Sequence, residues 1–155
     1  MASAPDLQQA KKLLESARLA AKHAYAPYSH FPVGAAILTD KGHIYTGANV
    51  ENASYGLTIC AERVAVFKAI SDGVQRFQAV AVWAEKTPNG SVTPCGACRQ
   101  VLAEFLGSET PVFFHDQANG AIRWLTMDQL LPAAFAPDSA QGDSSPHRDN
   151  NSLPD

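Results

Sequence analysis

The chain has 155 residues, 46% of them hydrophobic and 17% charged, with a formal net charge of −3. That length and apolar content suit one domain with one core, and the slightly acidic balance is unlike the basic faces that hold nucleic acid, so a small-molecule substrate is expected and a nucleic acid is not. No run approaches the roughly 18 apolar residues of a membrane span, and the start lacks a basic stretch followed by an apolar one, so a soluble, cytoplasmic protein without a membrane partner is expected.

In chain order, Asp6-Leu7-Gln8-Gln9 has the pattern of a capping box, with Asp6 accepting from first-turn amides and Gln9 reaching back. A helix follows, with Leu7, Ala10, Leu14, Ala17, Ala21 and Ala24 at helical spacing. Tyr25-Ala26-Pro27-Tyr28 ends it, because proline disfavours helical geometry in the residue before it. Val33–Thr39 and His43–Val50 flank Asp40-Lys41-Gly42 and predict an antiparallel hairpin. Gly34, Ala35 and Ala36 leave little side-chain volume on the first strand, which fits close packing of a helix on the sheet.

A loop from Glu51 to Leu57 leads to a helix predicted over about Thr58 to Asp72, stopped by Gly73. Its packing surface is expected to be Val64, Phe67 and Ile70 with the small Ala61, Ala65 and Ala69. Phe77–Ala84 is almost continuously apolar, as in a central strand covered on both faces. Pro88-Asn89-Gly90 is a turn signal, Pro94 opens a third helix, and Gly107 stops it. Val112–His115 and Ala121–Leu125 are too close in sequence for a crossover helix and are expected to pair antiparallel. Thr126-Met127-Asp128-Gln129 is a second capping box, opening a short helix with Leu130 and Leu131 that Pro132 curtails. Residues 1–136 are therefore expected to form a single domain and the polar stretch 137–155 a disordered tail. The element order predicts a three-layer α/β/α sandwich around a mixed five-stranded sheet.

The three cysteines of the chain fall in two segments, Thr58-Ile59-Cys60-Ala61-Glu62-Arg63 and Pro94-Cys95-Gly96-Ala97-Cys98-Arg99-Gln100. An odd number of cysteines, two spaced Cys-x-x-Cys, fits reduced thiolates on a metal better than a disulfide framework. A structural zinc is closed by four protein ligands, whereas a catalytic zinc keeps one position open. Three thiols leave that position open, and Glu62 beside them is a candidate acid-base group. Cys60 in the first turn of one helix, and Cys95 and Cys98 on one face of the next, would sit where helix N-termini favour thiolate. The five histidines lie outside both segments.

Together with Ala26-Pro27-Tyr28-Ser29, Asn49-Val50-Glu51-Asn52-Ala53-Ser54-Tyr55 and Leu130-Leu131-Pro132-Ala133-Ala134-Phe135, these segments make the chain, from about Tyr25 to Phe135, resemble the small homotetrameric cytidine deaminases. The resemblance implies a cytidine deaminase-like fold and one Zn2+ per subunit on Cys60, Cys95 and Cys98. It also implies hydrolytic deamination of cytidine and 2′-deoxycytidine, releasing ammonia, with Glu62 carrying the protons. It assigns Arg63 to the ligand sulfurs, Asn49 and Glu51 to ribose hydroxyls, Phe31 to stacking on the base, and the Ala61 backbone amide to the pyrimidine. Tyr55 and Phe135 fall in blocks that approach neighbouring subunits in that family, which implies a homotetramer. No comparable argument attaches to Arg99, for which an ordinary ion pair suffices. Two other readings share parts of the pattern: a related small-molecule aminohydrolase such as a blasticidin S deaminase, and a structural zinc or redox module in which Glu62 is only a helix residue.

Overall fold

The computed structural model describes residues 5–87 and 90–135; the predicted tail and most of the Pro88-Asn89-Gly90 turn lie outside them. Helix α1 (Leu7–Ala21) precedes strands β1 (Val33–Thr39) and β2 (Ile44–Ala48). Then follow α2 (Ala61–Ser71), β3 (Phe77–Ala84), α3 (Gly96–Phe105), β4 (Pro111–His115), β5 (Ile122–Thr126) and α4 (Met127–Leu130). The five strands form one sheet in the order β2-β1-β3-β4-β5. Strand β1 runs antiparallel to β2 and β3, β3 runs parallel to β4, and β4 is antiparallel to β5. The sheet is thus mixed, with β3 at its centre, as expected.

Alternation along the strands divides the core into two layers. Ala36, Leu38, Ala79, Ala81 and Phe113 face α1, where Ala10, Leu13, Leu14 and Ala17 meet them. Ala35, Ile37, Val80, Val82 and Val112 face the other way, toward the layer holding α2, α3 and α4. The helix boundaries show what fixes the ends. Asp6 caps α1 by accepting from the Gln8 N–H at 2.9 Å, without the expected return bond from Gln9. Thr126 and Gln129 close the reciprocal box on α4. Gly73, at φ 84°, takes the left-handed position after α2.

Two glycines set how closely the layers approach. A Cβ on Gly34 would stand 1.8 Å from the Ala17 carbonyl oxygen of α1, and one on Gly47 would stand 2.4 Å from the Ala61 oxygen of α2. Helix α2 therefore meets the sheet along its alanines, with Ala61, Ala65 and Ala69 buried beside Val66. This corrects the expected face: Phe67 is 45% exposed. A helix pressed this close makes contact through the line of residues four apart, and Phe67 lies off that line. Leu7, at 55% exposure, likewise falls outside the α1 core stripe, which Leu13 and Ala20 complete.

Because the obstacle at Gly34 is backbone, Gly34→Ala should destabilise the fold by about 3 kcal/mol or more, the upper end of the roughly 1–3 kcal/mol typical of overpacked cores. The measurement is the urea unfolding midpoint at unchanged m-value. Gly56→Ala, where a Cβ meets nothing within 4 Å, should change stability by less than about 1 kcal/mol.

Candidate active site

The N-terminal ends of α2 and α3, two helices of one layer, bring the sulfurs together. Val50 and Ile59 exchange backbone hydrogen bonds of 2.9 and 3.0 Å, which keeps the chain extended up to Cys60. Cys60 is for that reason the N-cap of α2, one residue before the helix instead of in its first turn. Cys95 is likewise the N-cap of α3, and Cys98 lies in that helix's first turn. Neither capping cysteine spends its side chain on a cap hydrogen bond. Their Sγ atoms lie 3.9 Å apart, and the three sulfurs lie within 4.8 Å of one another. All three thiols are free.

This donor set fits zinc. Sulfur ligands at about 2.3 Å in a tetrahedron stand about 3.8 Å apart, close to the Cys60–Cys95 spacing, and three protein ligands leave the fourth position open. The cluster also sits at two helix N-termini, whose unpaired amides and partial positive charge favour anionic sulfur. The Cys98 thiol beside it brings Cys60 down to about 5, against the effect of burial and with help from Arg63 and Cys95. Cys98 shifts up, because it is hydrogen-bonded to Cys60 and because it is buried. Arg63 Nη2 donates to Cys60 Sγ at 3.6 Å and to the Thr58 carbonyl at 3.4 Å.

Glu62, only 4% exposed, is in the first turn of α2. Burial pushes its carboxyl up to about 7, and the neighbouring Cys60 thiolate adds to the rise. A dication held by the sulfurs acts in the opposite sense. A carboxyl titrating near neutrality is suited to taking and returning protons.

Glu62, Cys60 and Cys95 form one part of the wall of a cavity of about 550 Å³, and Phe31, Asn49 and Glu51 form another. That volume is within the range of small-molecule sites. Ala61 and Tyr55 also line it. So do Ser29, Val92 and Thr93, to which the sequence reading gave no role. Ser29 offered one signal, a side chain able to donate and accept in a motif block; Val92 and Thr93 offered none.

Asn49 and Glu51 are buried and already occupied. Asn49 Nδ2 donates to the Phe31 carbonyl at 3.0 Å, and its Oδ1 accepts from the Val33 N–H at 2.8 Å. Glu51 accepts from the Tyr28 N–H at 3.0 Å, from the Ser29 N–H at 3.2 and 3.3 Å, and from the Ser29 hydroxyl. The Ser29 hydroxyl, first, and then these backbone N–H groups hold the Glu51 carboxyl below its ordinary value. An amide offers two donors and two acceptor sites, so Asn49 keeps capacity for a ligand.

Arg99 is not in an ion pair among the described residues. It donates to the Pro94 carbonyl at 2.7 Å, the Leu130 carbonyl at 2.8 Å and Thr93 Oγ1 at 3.1 Å, tying the segment before Cys95 to the end of α4. Phe135 does not line the cavity of its own chain; it is 78% exposed, and its carbonyl accepts from Gln100 Nε2 at 3.3 Å. Tyr55, 73% exposed, meets Tyr28 edge to face with ring centroids 5.6 Å apart.

Three sulfurs with an open position, and a buried carboxyl beside them in a cavity large enough for a small molecule, define a zinc-dependent hydrolytic enzyme. A family profile described as the cytidine and deoxycytidylate deaminase zinc-binding region matches residues 7–114. A cytidine deaminase of Sporosarcina psychrophila is 51% identical over 126 residues, covering 81% of this chain and 90% of the relative. A cytidine deaminase of Mycobacterium tuberculosis is 47% identical over 124 residues, covering 79% of this chain and 86% of the relative. The crystal structure of the cytidine deaminase from Burkholderia pseudomallei superposes with a TM-score of 0.74 at 46% identity, covering 81% of this chain and 98% of that one. The chain belongs to the cytidine deaminase family.

Metal analysis of the purified chain should find about one zinc per subunit, and Cys98→Ala should lose it. Arg63→Gln should retain the site but weaken it by roughly 10- to 100-fold, the usual effect of removing a partner of a ligand, read by competition with a chromogenic chelator.

Proposed function

We propose that the chain catalyses the hydrolytic deamination of cytidine and 2′-deoxycytidine to uridine and 2′-deoxyuridine, releasing ammonia. The observation that carries this reading is the buried Glu62 carboxyl beside three clustered sulfurs, in one cavity with Phe31, Asn49 and Glu51. In this reading Cys60, Cys95 and Cys98 hold the zinc. When bound, the ion acts as a Lewis acid that makes water nucleophilic near neutral pH.

The remaining work belongs to the side chains. Glu62 takes a proton from the incoming water and delivers it to N3 of the pyrimidine; it then takes the proton of the hydroxyl now on C4 and passes it to the amino group, which leaves as ammonia while the C4 carbonyl forms. Its burial, and its raised carboxyl, keep each proton away from bulk water while Glu62 carries it. Arg63 offsets the negative charge of the sulfurs. Phe31 stacks on the base, the Ala61 amide meets its polar edge, and the remaining hydrogen-bonding capacity of Asn49 and Glu51 meets the sugar. Contacts of this kind at a 3′-hydroxyl serve ribose and deoxyribose alike, which supports action on both nucleosides.

A sugar-binding wall favours a nucleoside over blasticidin S, and a cavity beside an uncommitted carboxyl favours an enzyme over a structural zinc or redox module. Residues 1–136 act in this reading as one catalytic domain in the cytoplasm. Four chains associate, with Tyr55 and Phe135 meeting neighbouring subunits, which their exposure in the single chain supports.

Glu62→Gln should keep its zinc while turnover of cytidine falls by at least roughly 10²-fold, the lower end for losing a general acid-base group. Undiminished turnover in a zinc-loaded variant removes the proton-shuttling role. Glu51→Ala should harm cytidine more than free cytosine, and equal effects on both contradict the sugar-binding role. Sedimentation should place the full chain at four times 16.5 kDa, and Phe135→Ala should shift it toward smaller species.

A further inference from the structure

The segment between α1 and β1 carries Phe31 into the cavity without help from a helix or strand. From Tyr28 to Val33 its backbone groups are satisfied mainly by three side chains. Glu51 takes the Tyr28 and Ser29 N–H groups, and Asn49 takes the Val33 N–H and gives to the Phe31 carbonyl. Ser29 accepts the Phe31 N–H at 3.1 Å. The same Ser29 oxygen donates its own proton to Glu51 Oε1. Between these contacts His30 sits at φ 53°, in the left-handed region that non-glycine residues seldom occupy, with its N–H on the Ala26 carbonyl at 3.0 Å. Tyr28, Ser29 and His30 are exposed, so hydrogen bonds more than packing determine where this loop stands.

We infer that Ser29 is a positioning residue for substrate binding: its hydroxyl, bonded at once to Glu51 and to the Phe31 peptide, locks the ring and the carboxylate into one wall of the cavity. Asn49 and Glu51 anchor the loop from the strand side. Ser29 is the anchor that belongs to the loop, and its hydroxyl makes the loop's side chain-to-side chain link to Glu51. Without that hydroxyl, the Phe31 N–H loses its acceptor, and Glu51 Oε1 keeps only the Ser29 N–H at 3.3 Å. The loop can then leave the left-handed turn at His30, taking Phe31 and the orientation of Glu51 with it. Ser29 touches neither the sulfurs nor Glu62 in any described hydrogen bond, so proton transfer is left in place while nucleoside binding weakens. The inference rests on the reading that Glu51 and Phe31 hold the nucleoside.

The test is steady-state kinetics on the zinc-loaded protein with cytidine. Ser29→Ala should raise KM roughly tenfold, the scale of one hydrogen bond to a charged group, with kcat within about twofold of the parent and zinc content unchanged. Ser29→Thr and Ser29→Val have nearly the same shape and differ in the hydroxyl, so Thr should restore KM to within about threefold and Val should not. In a Glu51→Gln background, Ser29→Ala should add less than about twofold, since Ser29 acts on an anchor already weakened. Equal KM values for the Thr and Val variants, full additivity with Glu51→Gln, or a fall in kcat at unchanged KM each overturn the role. If Glu51→Gln raises KM and Ser29→Ala does not, Ser29 is dispensable while the sugar-binding reading stands. If Glu51→Gln leaves KM unchanged, the sugar-binding reading falls and the inference falls with it.

Discussion

The close seating of α2 on the sheet at Gly47 is the constraint on which the rest depends. With no side chain there, the Ala61 carbonyl and the Ala65 amide come closer to β2 than any Cβ permits. The first turn of α2 is thereby fixed against a rigid surface, and the residues that open it, Cys60, Ala61 and Glu62, inherit that placement. Burial of Glu62 follows from the same contact, because the turn that holds it is pressed into the core beside Ala61 and Ala65. A functional carboxyl is more accurately held on such an element than on a loop. The cost of desolvating it is what moves its titration toward neutrality.

Opposite charges then balance around the sulfurs. Two helix N-termini and the Arg63 guanidinium supply positive potential, while burial and the neighbouring sulfurs oppose full ionisation. The result is that Cys60 is drawn down and Cys98 is pushed up by the same hydrogen-bonded contact. Arg99 performs a different task with the same functional group. Its three neutral acceptors come from the segment before Cys95 and from the end of α4, so the second sulfur-bearing helix is braced from the C-terminal side of the domain.

Much of this was legible before any coordinates. Strands β1 and β3 match their predicted limits residue for residue, because an unbroken apolar run bounded by turn residues has few alternatives. The metal site was legible because the only three cysteines fall in two short motifs. The packing face of α2 was not: a helix apolar on nearly every side shows no preferred face by period, and only the approach at Gly47 decides that Val66 points inward and Phe67 outward. The start of α2 was placed about three residues too early, at Thr58 instead of Ala61, because the Val50–Ile59 pairing that keeps the chain extended up to Cys60 is a tertiary contact. The same holds for the cavity. Sequence spacing separates Ser29 from Glu51 by 22 residues, and no local pattern announces that one side chain closes on the other. The loop-anchoring duties of Asn49 and Glu51 were hidden for that reason, although both had been placed in the site.

Cys60 and Cys95 lie 35 positions apart in the chain, so an ion bound between them is also a removable cross-link. Closing a flexible loop of 35 residues has an entropic term of about 3 kcal/mol, and a clamp present in the folded chain removes that freedom from the unfolded ensemble as well wherever it stays attached. Cys98, three residues beyond Cys95, closes almost no additional loop. The three sulfurs are therefore equivalent as donors and unequal as fasteners: the topological constraint on the polypeptide runs through Cys60, and metal occupancy and the cooperativity of folding are linked through that one residue.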